Sequence, residues 1–211
     1  TDFPISFSIG ATPDVVTSDG NTPSGGSSSG GSGGSGGTGP FAGGSAMLFL
    51  SNVTISGKAP PGTTVTILRD GKIELTAQAG PDGAFTGRVP GLERGTYTFV
   101  TYATDSKGGT TSRFSSTLTL GSGTNNAISG VVLSPTVSVE KETVDVGDVV
   151  NVSGLSIPGS AVGLLVRDVP QSGAPGVGKE YAASSTAAGT WSYSIPSKDL
   201  SRGTYEIKVK T

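Results

Sequence analysis

Two kinds of residue in this chain have types that could do chemistry. Four aspartates, Asp70, Asp82, Asp105 and Asp168, lie in turn-like stretches, Asp70, Asp82 and Asp168 directly beside a glycine or an arginine, and two Asn-x-Ser/Thr triplets begin at Asn52 and Asn151. Clustered aspartates can bind calcium, and the triplets match the acceptor pattern for N-linked sugar. Neither pattern is complete. No Asp-x-Asp-x-Asp-Gly series occurs, so an EF-hand loop is absent, and turn formation accounts for the aspartates. Both asparagines fall in strand-like runs of a Ser/Thr-rich chain, where chance matches are common. O-linked sugar on the accessible serines and threonines of the tract from Asp14 is a further modification to consider.

The 211 residues include no histidine and no cysteine. That removes Ser-His-Asp triads, thiol nucleophiles and zinc sites of ordinary ligand type, so no catalytic, cofactor-binding or metal-binding residue is expected, and no enzyme. The Gly-rich tract lacks the Gly-Lys-Ser/Thr ending of a phosphate-cradling loop. A formal net charge of -2 argues against nucleic acid as a partner. No apolar run approaches the roughly 20 residues of a spanning helix, so membrane insertion is not expected. The sequence starts at Thr1 without an initiator methionine, as it would after removal of a signal peptide, which is compatible with export.

Aromatic side chains could form a sugar platform. Trp191, Tyr193, Tyr97 and Phe99, however, fall at core-facing positions of alternating runs and read as packing, leaving Tyr102 and Tyr181 as exposed contacts.

These residues would be positioned by strands. Runs of five to ten residues recur between Gly, Pro, Asp and Ser, and none has a 3.6-residue apolar period, so the fold is read as all-β. Met47, Phe49, Val53 and Ile55 share one face; Val65 and Ile67, Phe85 and Val89, Tyr97 and Phe99, then Phe114, Leu118 and Leu120 follow. A second block repeats this grammar. Gly57 is followed by Pro61-Gly62 and Gly154 by Pro158-Gly159, while Phe85 precedes Gly95-Thr96-Tyr97 as Trp191 precedes Gly203-Thr204-Tyr205. Two copies of one sandwich are the simplest explanation, with about six strands in the first and about seven in the second. In the second, Val150, Val152, Val162, Leu164, Trp191, Tyr193, Ile195, Tyr205, Ile207 and Val209 line the core. The alternation of "YEIKVKT" reads as a lysine-protected edge strand.

The expected organisation is therefore an N-terminal strand over 1–13, a Gly/Ser-rich linker over 14–45, a first sandwich over 46–121, a spacer over 122–134 and a second sandwich over 135–211. The linker has the composition of a flexible tether, with a typical reach of ~30 Å and an extended reach near ~90 Å.

The stretches "ISGKAPPGTTVTILRDGK", "DGAFTGRVPGLERGTYTFVTYATDSKGGTTS", "ISGVVLSPTVSV" and "VGDVVNVSGLSIPGSAV" resemble the immunoglobulin-like, prealbumin-like repeats of bacterial secreted and cell-surface proteins. The likeness covers roughly residues 47 to 211 and is strongest to tandem modules in secreted proteins of ultra-small candidate-phyla bacteria. It implies two tandem immunoglobulin-like sandwiches in an extracellular spacer, adhesive or fibre-forming part, and it carries over no catalytic residue.

The opening "TDFPISFSIG" alternates Phe3, Ile5, Phe7 and Ile9 with polar or turn-forming residues. It either folds back on its own chain, remains from a preceding domain, or inserts as a donor strand into another subunit. Burying four large side chains is worth roughly 6 to 12 kcal/mol gross. Ordering some eight residues costs about 1 to 2 kcal/mol each, so a preformed groove must tip the balance. Pro4 cannot donate to a ladder and belongs at the strand's beginning. The first sandwich, counted one strand short, is the favoured acceptor.

The expectation is thus an extracellular homopolymer whose subunits partner one another, with surface glycans as a further partner class. The competing reading is an immunoglobulin-like stalk or carbohydrate-adhesion module of a larger cell-surface protein. The lysine–asparagine cross-link of some sandwich pilins is not expected, because residues 110–120 and 203–211 contain no asparagine.

Overall fold

The computed structural model describes residues 5–9, 49–170 and 176–211, the first of these by backbone pairing. The described residues contain no α-helix and one short 3-10 turn at Ser197–Asp199; the protein is all-β. In chain order the strands are β1 (Ile5–Ile9), β2 (Ser51–Lys58), β3 (Thr64–Arg69), β4 (Lys72–Gln78), β5 (Ala84–Leu92), β6 (Gly95–Thr104), β7 (Phe114–Leu120) and β8 (Asn125–Val132). Then follow β9 (Ser138–Val139), β10 (Thr143–Val144), β11 (Val149–Leu155), β12 (Ala161–Asp168), β13 (Gly178–Ser184), β14 (Thr190–Pro196) and β15 (Gly203–Lys210). Met47, the linker over 14–45 and most of residues 1–13 lie outside the described residues.

Two sheets, β5-β2-β8 and β4-β3-β6-β7, enclose the first core, which includes Val53, Ile55, Val65, Ile67, Phe85, Val89, Phe99 and Leu120. Two more, β14-β11-β9 and β10-β1-β15-β12-β13, enclose the second, built on Val150, Val152, Val162, Leu164, Trp191, Ile195, Tyr205 and Ile207. Strict alternation explains both: β5 reads exposed, buried, exposed, buried from Ala84.

The sequence repeat is a structural repeat. Thr63 Oγ1 donates to Pro60 O, and Ser160 Oγ to Ile157 O, both at 2.7 Å. Gly57 and Gly154 each lie against neighbouring backbone so closely that a Cβ would collide with a carbonyl, that of Val131 on the paired strand β8 in one copy and that of Thr136, ahead of β9, in the other. Between β3 and β4, Asp70 and Gly71 both have positive φ, 51° and 84°, the two-residue turn that matches the twist of its flanking strands.

Several expectations are corrected. Residues 125–132, read as part of a spacer, form β8, which runs parallel to β2 and adds Ile128, Val131 and Leu133 to the first core. The first sandwich therefore has seven strands of its own and extends past residue 121. Phe49 is 67% exposed and Phe114 37%, because β2 starts only at Ser51 and β7 turns inward only towards Leu120. Finally, β15 is no edge: β12 pairs with one side and β1 with the other. Its Lys208 instead pairs with Glu206 at 3.3 Å on the same face.

Candidate strand-acceptor site

The site begins with "GTYEIKVK", the β15 sequence, in which Tyr205 and Ile207 point into the second core and are 5% and 1% exposed. A strand with its core face filled still has two edges that must be paired, covered or hydrated. On one side β12 pairs antiparallel, from Gly163↔Lys210 to Asp168↔Tyr205. On the other side lies β1, antiparallel, with Ile5↔Ile207, Ser6↔Glu206, Phe7↔Tyr205, Ser8↔Thr204 and Ile9↔Gly203. Beyond β1 sits β10, parallel to it, with Ser8↔Thr143 and Ile9↔Val144. The five residues of β1 thus fill a slot bounded on both sides by strands of the second sandwich.

Among the described residues, β10 joins its sheet only through β1. The buried Val144 is carried on β10, so the slot's occupant links part of the core to the sheet. The tyrosine that pairs with the middle of β1 is anchored: Tyr205 OH donates to Ser201 O at 3.0 Å. Burial pushes the Tyr205 phenol up from its ordinary pKa, and the Asp168 carboxylate acts in the same direction.

Of the residues singled out from sequence, Ile5, Phe7 and Ile9 are in β1 and Phe3 lies outside the described residues. β1 begins at Ile5, directly after Pro4 in sequence. The acceptor, however, is the second sandwich and not the first, which already has its full set of strands. Alternation identifies a strand but carries no information about which edge receives it.

The other candidates are structural in their surroundings. Asn52 Nδ2 donates to Asn125 Oδ1 at 3.0 Å, and Asn151 Nδ2 to Glu140 Oε2 at 2.8 Å, so both amides are engaged along ladders. Asp70, Asp82 and Asp105 accept backbone N–H bonds in turns, from Thr98, from Ala84, and from Lys107 and Gly109. Lys58 also donates to Asp82 at 2.9 Å, and that bond, more than the one from Ala84, holds the Asp82 carboxyl below the usual range. Asp168 departs from the turn expectation by closing β12; its Oδ1 is buried without a hydrogen-bond partner among the described residues. No group of three or more Asp, Glu, His or Cys that could hold a metal is found among them. No helix among them is long and apolar enough to cross a membrane.

The aromatic residues divide differently from expectation at one position. Trp191 is 3% exposed and its Nε1 donates to Thr136 O at 3.2 Å, so packing describes it. Tyr102 is half-buried, with the Arg113 guanidinium 5.1 Å from its ring centroid. Tyr181, expected as an exposed contact, packs on the second core with its ring 5.3 Å from that of Tyr193, and its hydroxyl is buried. Burial raises its pKa, with the Asp199 charge adding to the effect.

Sequence reasoning missed Thr143, Val144 and the residues 203–207 of β15 as the walls of the slot. The signal available was that the second block repeats the first through Gly203-Thr204-Tyr205. No protein-family model matches the chain, and no curated protein matches it significantly.

Proposed function

We propose that the protein is the structural subunit of an extracellular fibre or pilus-like filament. Two sandwiches of immunoglobulin-like kind act as the repeating body, and residues 5–9 of one copy join it to the second sandwich of the next. The observation that carries this reading is the place of β1. A short strand is seated between β10 and β15 in the interior of a five-stranded sheet, and in sequence it comes from the far side of residues 10–48, a glycine- and serine-rich stretch, and not from the adjoining segments of the second sandwich. Within one molecule that insertion is self-complementation. Between molecules the same pairing is a head-to-tail contact, which generates an open polymer when the operation does not close. A long tether lets one copy's strand reach another's slot, while also giving its own slot a high effective concentration. Export fits the resemblance of residues 47 to 211 to repeats of secreted and cell-surface proteins.

Electron microscopy and sedimentation of the full chain across a concentration series, beside a chain lacking residues 1–13, test the proposal. Filaments or concentration-dependent polymers should form from the full chain and vanish on truncation. A full chain that stays monomeric at every concentration would replace the fibre with the stalk or adhesion reading.

A further inference from the structure

The two sandwiches present corresponding strands, and their neighbours can be compared residue by residue. β6 and β15 both open Gly-Thr-Tyr, and both tyrosines anchor the same way: Tyr97 OH donates to Glu93 O at 3.2 Å and Tyr205 OH to Ser201 O at 3.0 Å, each four residues upstream. β3 and β12 flank them on one side. On the other side β6 has β7, antiparallel, and β15 has β1, antiparallel.

The registers coincide. Gly95, Thr96, Tyr97, Thr98 and Phe99 pair with Leu120, Thr119, Leu118, Thr117 and Ser116. Gly203, Thr204, Tyr205, Glu206 and Ile207 pair with Ile9, Ser8, Phe7, Ser6 and Ile5. Laid on the shared Gly-Thr-Tyr, Leu120 corresponds to Ile9, Thr119 to Ser8, Leu118 to Phe7 and Thr117 to Ser6. Four consecutive positions keep their type, apolar or hydroxyl; only Ser116 and Ile5 differ. In the first sandwich the pattern has a visible purpose: Leu120 is buried, Leu118 packs on the core, and Thr119 meets Thr96 hydroxyl to hydroxyl at 2.9 Å. A slip of one residue would invert every one of these assignments.

We infer that the slot between β10 and β15 is a sequence-reading receptor for a β7-type strand, an extended segment of order hydroxyl, apolar, hydroxyl, apolar, and that residues 6–9 are its ligand by register. This deepens the fibre proposal and rests on its view of β1 as an inserted strand, but it holds whether the strand comes from the same copy or another. Any segment with β7's pattern should serve, including β7's own sequence.

Rescue in the full chain tests this. Phe7→Asp places a charge opposite Tyr205 and should speed amide exchange at residues 203–207 by about tenfold or more. Adding FSSTLTL, the β7 sequence, after Thr211 through a Gly-Ser linker should then restore protection to within about threefold of the parent. Adding FSSLLTT, the same composition without any hydroxyl–apolar–hydroxyl–apolar run, should not. The inference is overturned if Phe7→Asp leaves 203–207 protected, if FSSTLTL fails to restore protection, or if the scrambled segment restores it equally. Rescue in a chain that never polymerises would sink the fibre proposal alone; filaments that need residues 1–13 without any rescue would sink this inference alone.

Discussion

The first sandwich receives its β6-flanking strand from the segment that follows β6 in sequence, whereas the second receives the corresponding strand from residues 5–9, across the whole first sandwich. Both seats have the same register against the same kind of tyrosine-anchored strand. What differs is the chain separation that must be closed to fill them. Closing a longer loop adds entropy only slowly, so the remote strand is not greatly penalised thermodynamically. On the fibre proposal it is instead exchangeable: a strand held by a short loop has one seat within reach, whereas a strand on a long tether would also reach another copy's seat. The comparison teaches that one domain design can be a sealed body or a socket, depending only on where its last strand is encoded.

The largest test of that contrast is removal of residues 1–13. The second sandwich should lose several kcal/mol, because β15 loses a partner and β10 loses the strand that, among the described residues, links it to the sheet. At about 4–8 °C per kcal/mol for a domain of this size, its unfolding midpoint should fall by some 15 °C or more while the first sandwich's stays in place. Two resolved transitions in calorimetry, assigned by hydrogen exchange, would show this. Equal losses in both sandwiches would erase the distinction.

Gly57→Ala and Gly154→Ala sharpen the comparison from the side of likeness. Each methyl would run into a neighbouring backbone carbonyl, so each should destabilise its own sandwich by about 2–4 kcal/mol, through displaced backbone in place of a cavity. Thermal unfolding of the two variants should move different transitions by similar amounts. A neutral substitution at either site would mean the copies are packed differently there.

Tyr97→Phe and Tyr205→Phe probe the shared anchor. Each removes one hydroxyl-to-carbonyl bond worth about 1 kcal/mol. The loss should be greater at Tyr205, which is nearly fully buried, than at the half-buried Tyr97. Only Tyr205→Phe should speed exchange at residues 5–9.

Much of this was legible in the residues. Val53, Ile55, Phe85, Val89, Val150, Val152 and Ile195 announce their burial by period-two spacing, and the Gly-Pro-Gly and Gly-Thr-Tyr echoes announce the repeat. β8 was not legible as a strand. Asn125, Asn126 and Ser129 make "NNAISGVV" look polar, and Gly130, at φ 73°, sits where the pairing with β2 shifts register, so Ile128 and Val131 break the alternation that marks a buried face. Phe49 and Phe114 failed for the opposite reason: their parity is right, but they stand at strand ends where no opposing sheet covers them. The slot was hidden because β10 is two residues long, too short for any periodicity, and because the apolar alternation of β15 shows which face is buried and not which edges are paired.

pH gives the smallest effects and separates the sandwiches by sign. Tyr181 and Tyr205 both belong to the second core, and burial raises both phenols above the ordinary value near 10. A raised folded pKa means the native state holds its proton more tightly than the unfolded chain. The associated stability is intact below pH about 10 and is lost as pH climbs through the raised folded values. Alkali should therefore lower the second transition. Asp82, in the first sandwich, is shifted the other way by its bonds from Lys58 and Ala84. Its contribution is present above the unfolded carboxylate's pKa near 4 and fades as pH falls through the lower folded value. Because this carboxylate is fully open to solvent, the acid effect should be slight, abolished by Asp82→Asn and weakened by salt. Calorimetry from pH 3 to 11 should show acid acting through Asp82 on the first transition and alkali acting through the two phenols on the second; a second transition indifferent to pH 11 would mean those phenols are already hydrated in the folded second sandwich.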